Sequence, residues 1–200
     1  MVTGRELPDL QLVCQVLDRF DWIVAENGAL LFRPSDSFSK LLCEPASAAL
    51  AQQLATARAE PLSIGRAIIA TREPHEVLVL ELIKKLGLEL QVIFNKGAVM
   101  VLPTGVNKAT GLTAVLKEMN IAPANVVAIG DAENDHAFLS MCGVGVAVAN
   151  ALPMLKEHAD LVTQGARGAG VTELIDRILA TDLADIPARG VRPAGTTAVR

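Results

Sequence analysis

Tyrosine is absent from the 200 residues, and all aromatic residues together make up only 3%. A chain so poor in rings has few platforms on which bases or sugars could stack. Its formal net charge of −4 offers no general attraction to nucleic acid or anionic membrane. Both counts argue against a nucleic-acid reader. Cysteine is nearly as scarce: Cys14, Cys43 and Cys142 are odd in number and scattered, with no Cys-x-x-Cys pair and no Cys/His cluster. That argues against a disulfide framework and a structural zinc site, and for reduced thiols packed as small hydrophobes. The opening residues Met-Val-Thr-Gly-Arg-Glu lack the basic-then-apolar order of a signal peptide. No uncharged apolar run reaches the roughly 20 residues of a membrane span. A soluble, cytoplasmic protein is expected. Hydrophobic residues at 51% and charged residues at 20% are globular proportions, enough for one good core with a smaller module lodged in it.

No internal repeat is present, and the elements alternate. Residues 8–19 carry a helical stripe at Leu10, Val13, Cys14 and Leu17. Apolar runs at 22–25 and 29–32, joined by Glu26-Asn27-Gly28, predict a strand hairpin. Residues 45–59 read as a helix, 63–71 as a strand, and 74–86 as a helix closed by Gly87. Strands at 88–94 and 98–102 join through Asn95-Lys96-Gly97. Then the character changes. Helices at 108–120, 133–141, 153–158 and 171–183 alternate with apolar strands at 125–129, 144–148 and a stub at Leu161-Val162. Apolar strands without polar alternation, separated by helices, are the mark of a parallel sheet covered on both faces. The fold class expected is therefore α/β. A Rossmann-like parallel-sheet core is expected from residues 1–32 and 104–183, with an α+β module inserted at 33–103 and a flexible tail at 184–200.

In open α/β sheets ligands bind just beyond the carboxyl ends of the strands. Three polar groups fall there. Asp131 ends the apolar strand in Gly130-Asp131-Ala132-Glu133-Asn134-Asp135, and Asn134 and Asp135 return to the same side one helical turn later. Two carboxylates and a carboxamide converging on one point suit a hard cation such as Mg²⁺; the alternative is that Asp131 caps the helix and the acids complement its positive end. Lys108, after the cap candidate Asn107, sits in a first helical turn against the dipole, at a cost of a few tenths to about 1 kcal/mol. A phosphate or carboxylate nearby would explain it, and so would a solvated surface position. Thr3-Gly4-Arg5 follows a strand stub at Met1-Val2, where the backbone N–H groups of Gly4 and Arg5 would face an anion. Thr3-x-x-Glu6 also reads as a capping box.

Taken in order, a Thr-Gly-Arg after a strand, a lysine opening a helix after an inserted module, and Gly-Asp-x-x-Asn-Asp after an apolar strand resemble the haloacid dehalogenase superfamily, in its Cof-type, type IIB sugar-phosphatase branch. The phrases Ile23-Val24-Ala25-Glu26-Asn27-Gly28-Ala29, Asn107-Lys108-Ala109-Thr110-Gly111-Leu112 and Gly145-Val146-Ala147-Val148-Ala149-Asn150-Ala151 belong to the same pattern. The resemblance implies an Mg²⁺-dependent phosphatase of small phosphorylated metabolites that works through an aspartyl-phosphate. It assigns catalytic roles to Thr3, Lys108 and Asp135, phosphate contact to Thr3, Gly4, Arg5, Lys108 and Asn134, and the metal to Asp131 and Asp135. Asn134 and Asp135 would hold the metal's waters and orient Lys108. The insertion would be a cap that closes over the site and chooses the substrate. Arg66, Arg72, His75 and Lys96 are its candidate readers, although a solvated surface role is the commoner fate of such residues.

The family's first motif, Asp-x-Asp-Gly-Thr, supplies the nucleophile, and no Asp-x-Asp occurs in the 200 residues. Asp9, Asp18 and Asp21 lie in or near the first helix and do not stand in for it. These residues alone are expected to lack normal turnover. The strand that carries the motif is central in the family, so its absence would open two sheet edges. Two explanations compete: a start at an internal Met of a longer chain, or a natural remnant that pairs its open edge with a partner or a second copy. The rival function is a non-catalytic phosphate- or metal-binding module of a larger protein.

Overall fold

The structure is a computed structural model, and it describes residues 1–187 and 189. The chain divides into two compact units, Met1–Val115 and the part from Leu116 onward.

In the first unit Val2 bridges Val24 in parallel, with Thr3 N donating to Val24 O and Val24 N to Met1 O, both at 2.8 Å. The expected strand stub is thus a single bridge. Helix α1 (Leu7–Val13) is shorter than the apolar stripe, and a 3₁₀ turn at Leu17–Arg19 takes up the remainder. Leu10 is the only residue of α1 that is buried, and Leu12 stands 82% exposed, so little packing holds a further turn. Strands β1 (Ile23–Ala25), β2 (Leu30–Arg33) and β3 (Phe38–Leu41) form an antiparallel sheet in that order. Ile23, Ala25, Leu30 and Phe32 pack with Leu10 on one face, while Val24 and Leu31 pack with Val115 on the other. Cover on both faces explains why this hairpin shows no polar alternation. The expected boundary at 32/33 falls inside β2, and β3, expected in the insertion, pairs with β2.

A second antiparallel sheet has the order β4-β5-β7-β6, from β4 (Ser63–Ile64), β5 (Ile69–Arg72), β6 (Leu90–Asn95) and β7 (Ala98–Pro103). Helices α2 (Ala48–Thr56) and α3 (Glu76–Leu86) cover one face through Leu50, Leu54, Val79 and Ile83, packed on Ile69, Val99 and Val101. The Ser47 hydroxyl caps α2 by accepting from Leu50 N at 3.3 Å, and Gly87, at φ 63°, closes α3 as expected. Residues 63–71 form two strands, where the sequence suggested one. Gly65 N donates to Ile68 O at 2.8 Å, turning the chain back, and the buried Glu26 carboxylate clamps that turn. Its oxygens accept from Arg66 N at 3.0 Å, Ala67 N at 2.7 Å and Ile68 N at 3.0 Å. Helix α4 (Lys108–Glu118) contains the boundary between the units.

The second unit holds the expected parallel sheet, ordered β10-β9-β8 from β8 (Val127–Gly130), β9 (Val144–Ala147) and β10 (Leu161–Val162). Helices α5 (His136–Met141), α6 (Pro153–His158) and α7 (Gly168–Thr181) alternate with it. Val144, Val146, Leu174 and Leu183 form its core with Ile129 and Ile178. Ile186 packs on the same core, and the Arg189 guanidinium pairs with Asp160 at 2.9 Å and bonds the carbonyls of Leu139 and His158, each at 2.7 Å. Within the segment expected as a tail, those residues hold defined places; residue 188 and residues 190–200 lie outside the described residues.

Candidate active site

Lys108 owes its position to its neighbours. The Asn107 side-chain oxygen accepts from Ala109 N at 2.9 Å and Thr110 N at 3.0 Å, so Asn107 caps α4 as expected. The Thr110 hydroxyl answers by accepting from Asn107 N at 3.0 Å. A Cβ on Gly28 would lie 1.9 Å from the Asn107 carbonyl oxygen, and one on Gly111 would lie 2.7 Å from Gly28 Cα. Only glycines allow the β1–β2 turn to touch the first turn of α4 this closely. Lys108 is 7% exposed, which rules out the solvated-surface alternative.

Thr3 is fixed by its backbone, with Asn27 N donating to Thr3 O at 3.0 Å. Its hydroxyl accepts from Arg5 N at 3.1 Å, which leaves the O–H proton to donate elsewhere. The capping box does not form: Glu6 is the N-cap of α1 without a side-chain cap bond, and its carboxylate takes the Ser63 hydroxyl instead. The Arg5 guanidinium is tied to Asp9. Thr3, Gly4, Arg5 and Lys108 share a cavity of about 630 Å³ whose opposite wall is the β4-β5-β7-β6 sheet. Of the four cap cations only Arg72 lines it. Arg66 reaches Ser39, and His75 lies against the Glu60 carbonyl.

The second unit carries the acidic loop. Asp131 follows β8 directly, with its carbonyl accepting from Leu152 N at 3.2 Å. Asp135 is 4% exposed, and one of its oxygens accepts from Asp131 N at 2.8 Å and Ala132 N at 3.0 Å. A Cβ on Gly130 would lie 2.6 Å from that oxygen, so glycine is what lets the carboxylate fold back. In this loop the helix-capping part, left open between Asp131 and a metal site, falls to Asp135. Among the described residues no three His, Cys, Asp or Glu side chains form a metal cage. Mg²⁺ does not need one, since it keeps several waters and takes one or two carboxylates, and Asp131 at a strand tip fits that demand. The sequence reading missed Glu26, which looked like a turn residue; its one signal was an acid ending a fully apolar run.

The pattern of the haloacid dehalogenase-like hydrolases matches residues 57–175. Phosphoglycolate phosphatase 2 of Saccharolobus solfataricus is 35% identical over 184 residues, spanning 90% of this chain and 76% of that protein. The chain belongs to the haloacid dehalogenase-like hydrolases. By family it is a phosphomonoester hydrolase. A haloacid dehalogenase-like hydrolase from Bacteroides thetaiotaomicron shares the fold at TM-score 0.74 and 20% identity, covering 88% of this chain and 85% of that one. A HAD/Cof-like hydrolase from Plasmodium vivax does so at TM-score 0.71 and 21% identity, over 88% and 81%. No helix among the described residues of this hydrolase is long and apolar enough to cross a membrane.

Proposed function

We propose that these residues form the phosphate- and metal-handling part of an Mg²⁺-dependent phosphatase of small phosphorylated metabolites. The observation that carries the reading is the cavity in which Thr3, Gly4 and the buried Lys108 come together. The Thr3 hydroxyl donates to a phosphate oxygen and the N–H groups after it contribute, while the Lys108 ammonium offsets phosphate charge. Arg5, occupied by Asp9, is the weakest of the phosphate contacts. Asp131 is the carboxylate for the metal, Asn134 supports the metal's waters, and Asp135 holds the loop that presents them. Bound Mg²⁺ supplies Lewis-acid neutralisation of phosphoryl oxygens. Residues 33–103 act as the cap. The Saccharolobus relative is named for phosphoglycolate, which supports a short substrate. The same reading expects binding without normal turnover from these 200 residues, since no Asp-x-Asp is among them.

Thermal melting of the full chain tests this, because a ligand that binds only the folded state raises Tm. Inorganic phosphate and Mg²⁺ are each expected to raise it, the first effect lost in Lys108→Ala and the second in Asp131→Ala. No shift from either ligand on the unmutated chain overturns the reading. Robust hydrolysis of p-nitrophenyl phosphate, abolished by Asp131→Ala, would overturn the expectation of binding without turnover.

A further inference from the structure

The wall of the cavity opposite Thr3 and Lys108 has a pattern of its own. Ile69, Val99 and Val101 point into the α2–α3 side of the sheet, so the alternate residues Ala70, Arg72, Ala98 and Met100 line the cavity. Strand register sets these in rows. Arg72 on β5 lies opposite Ala98 on β7, and Ala98 opposite Asn95 on β6. The next row, Ala70, Met100 and Ile93, is apolar. One end of the wall is therefore a polar bracket, with a small residue at its centre that leaves room above it.

Both arms of the bracket lack a partner. The Asn95 Oδ1 is buried without a hydrogen bond, a state that costs about 1–3 kcal/mol. A side-chain rotation that turns the amide toward the cavity would let a ligand there take up its hydrogen bonds. The Arg72 guanidinium makes no hydrogen bond or ion pair with the described residues, and its Nη2 lies 3.9 Å from where a Gly97 Cβ would be, beside the β6–β7 turn. Of the other charged residues that line the cavity, Arg5 is tied to Asp9 and Glu6 takes the Ser63 hydroxyl.

We propose that Arg72, with Asn95 beside it, reads a carboxylate at the end of the substrate remote from the phosphate, which makes the substrate a short phosphorylated acid. The guanidinium fork matches a carboxylate with two parallel hydrogen bonds, and the Asn95 amide nitrogen, turned toward the cavity, donates a third. The apolar row of Ala70 and Met100 faces the carbon skeleton between the two anionic ends. This inference rests on the phosphate role of Thr3 and Lys108.

The test is calorimetric titration of the full chain with 2-phosphoglycolate and with ethyl phosphate, which has the same two carbons and no carboxylate. Arg72→Met, which keeps the length and apolar bulk of the side chain, is expected to weaken 2-phosphoglycolate about 10-fold or more and leave ethyl phosphate within about 2-fold. Lys108→Ala is expected to weaken both. If Arg72→Met weakens both ligands alike, or neither, while Lys108→Ala weakens both, the carboxylate reader is overturned and the phosphate site stands. If neither ligand binds the unmutated chain, or Lys108→Ala changes neither, the phosphate reading falls and takes this one with it.

Discussion

Two loops carry candidate site residues, one in each unit, and they are built by opposite means. The loop at Asn107–Lys108 is shaped from outside, by a turn some eighty residues earlier that presses Gly28 onto the Asn107 carbonyl. The loop at Gly130–Asp135 shapes itself, with Asp135 folding back on the N–H groups of Asp131 and Ala132. A glycine is indispensable to each, but for different reasons. Gly28 admits another segment's backbone at φ +112°, whereas Gly130 admits its own loop's carboxylate. The first loop therefore depends on the packing of its whole unit, and the second on six consecutive residues.

The comparison breaks most visibly at Gly28. Gly28→Ala puts a methyl group inside a carbonyl's radius and demands a positive φ from an L side chain, so a loss of about 3–5 kcal/mol is expected in urea unfolding. A loss under about 1 kcal/mol would mean that the turn does not seat α4. Gly130→Ala is milder, because the obstructing group is a side chain. Rotating Asp135 away leaves two backbone N–H groups without an acceptor, for about 2–3 kcal/mol. Combining it with Asp135→Ala sharpens the point: a self-built loop predicts a double mutant well short of the two single effects added, since both remove the same bonds. Strict additivity would sink the local account.

That difference also sorts what was legible in the sequence. Gly-Asp-x-x-Asn-Asp could be read directly, because its glycine, its acids and its strand are neighbours in the chain. The parallel sheet was legible for the same reason, through the uninterrupted apolar runs at β8 and β9 and the helices between them. Asn107 could be read as a cap, but its contact with Gly28 could not, since no local pattern records which distant turn will approach. Glu26 is the sharpest case. Next to Asn27 and Gly28 it has the composition of a turn, and only the fold reveals that its carboxylate closes the turn at 65–68 and splits one expected strand into two. The boundary of the insertion was blurred by the same kind of event, because β3 joins the hairpin by pairing that sequence spacing does not disclose. Arg72 stood among four equivalent cations until strand register placed it alone on the cavity wall.

A carboxylate that holds backbone N–H groups should also register in the pH dependence of stability, and Glu173 offers the gentlest version. Its oxygens accept from Gly165 N at 2.8 Å and Gln164 N at 3.0 Å, tying the loop after β10 to α7. Those bonds, the one from Gly165 first, hold its pKa below the ordinary 4.5, with the Arg177 charge a smaller help. A depressed carboxylate stabilises the fold above its unfolded pKa and loses that contribution as pH falls through its folded value. Glu173→Gln is therefore expected to lower Tm slightly at neutral pH. Its deficit against the unmutated chain should shrink once pH drops below 4.5 and vanish when the folded carboxylate is itself protonated. Glu173 is only half-buried, so the effect should be the smallest of the three and should weaken in added salt. A deficit that persisted or grew in acid would show that the amide fails for its shape instead of its charge, and the loop after β10 would then belong with the packed Gly28 turn and not with the self-built Gly130 loop.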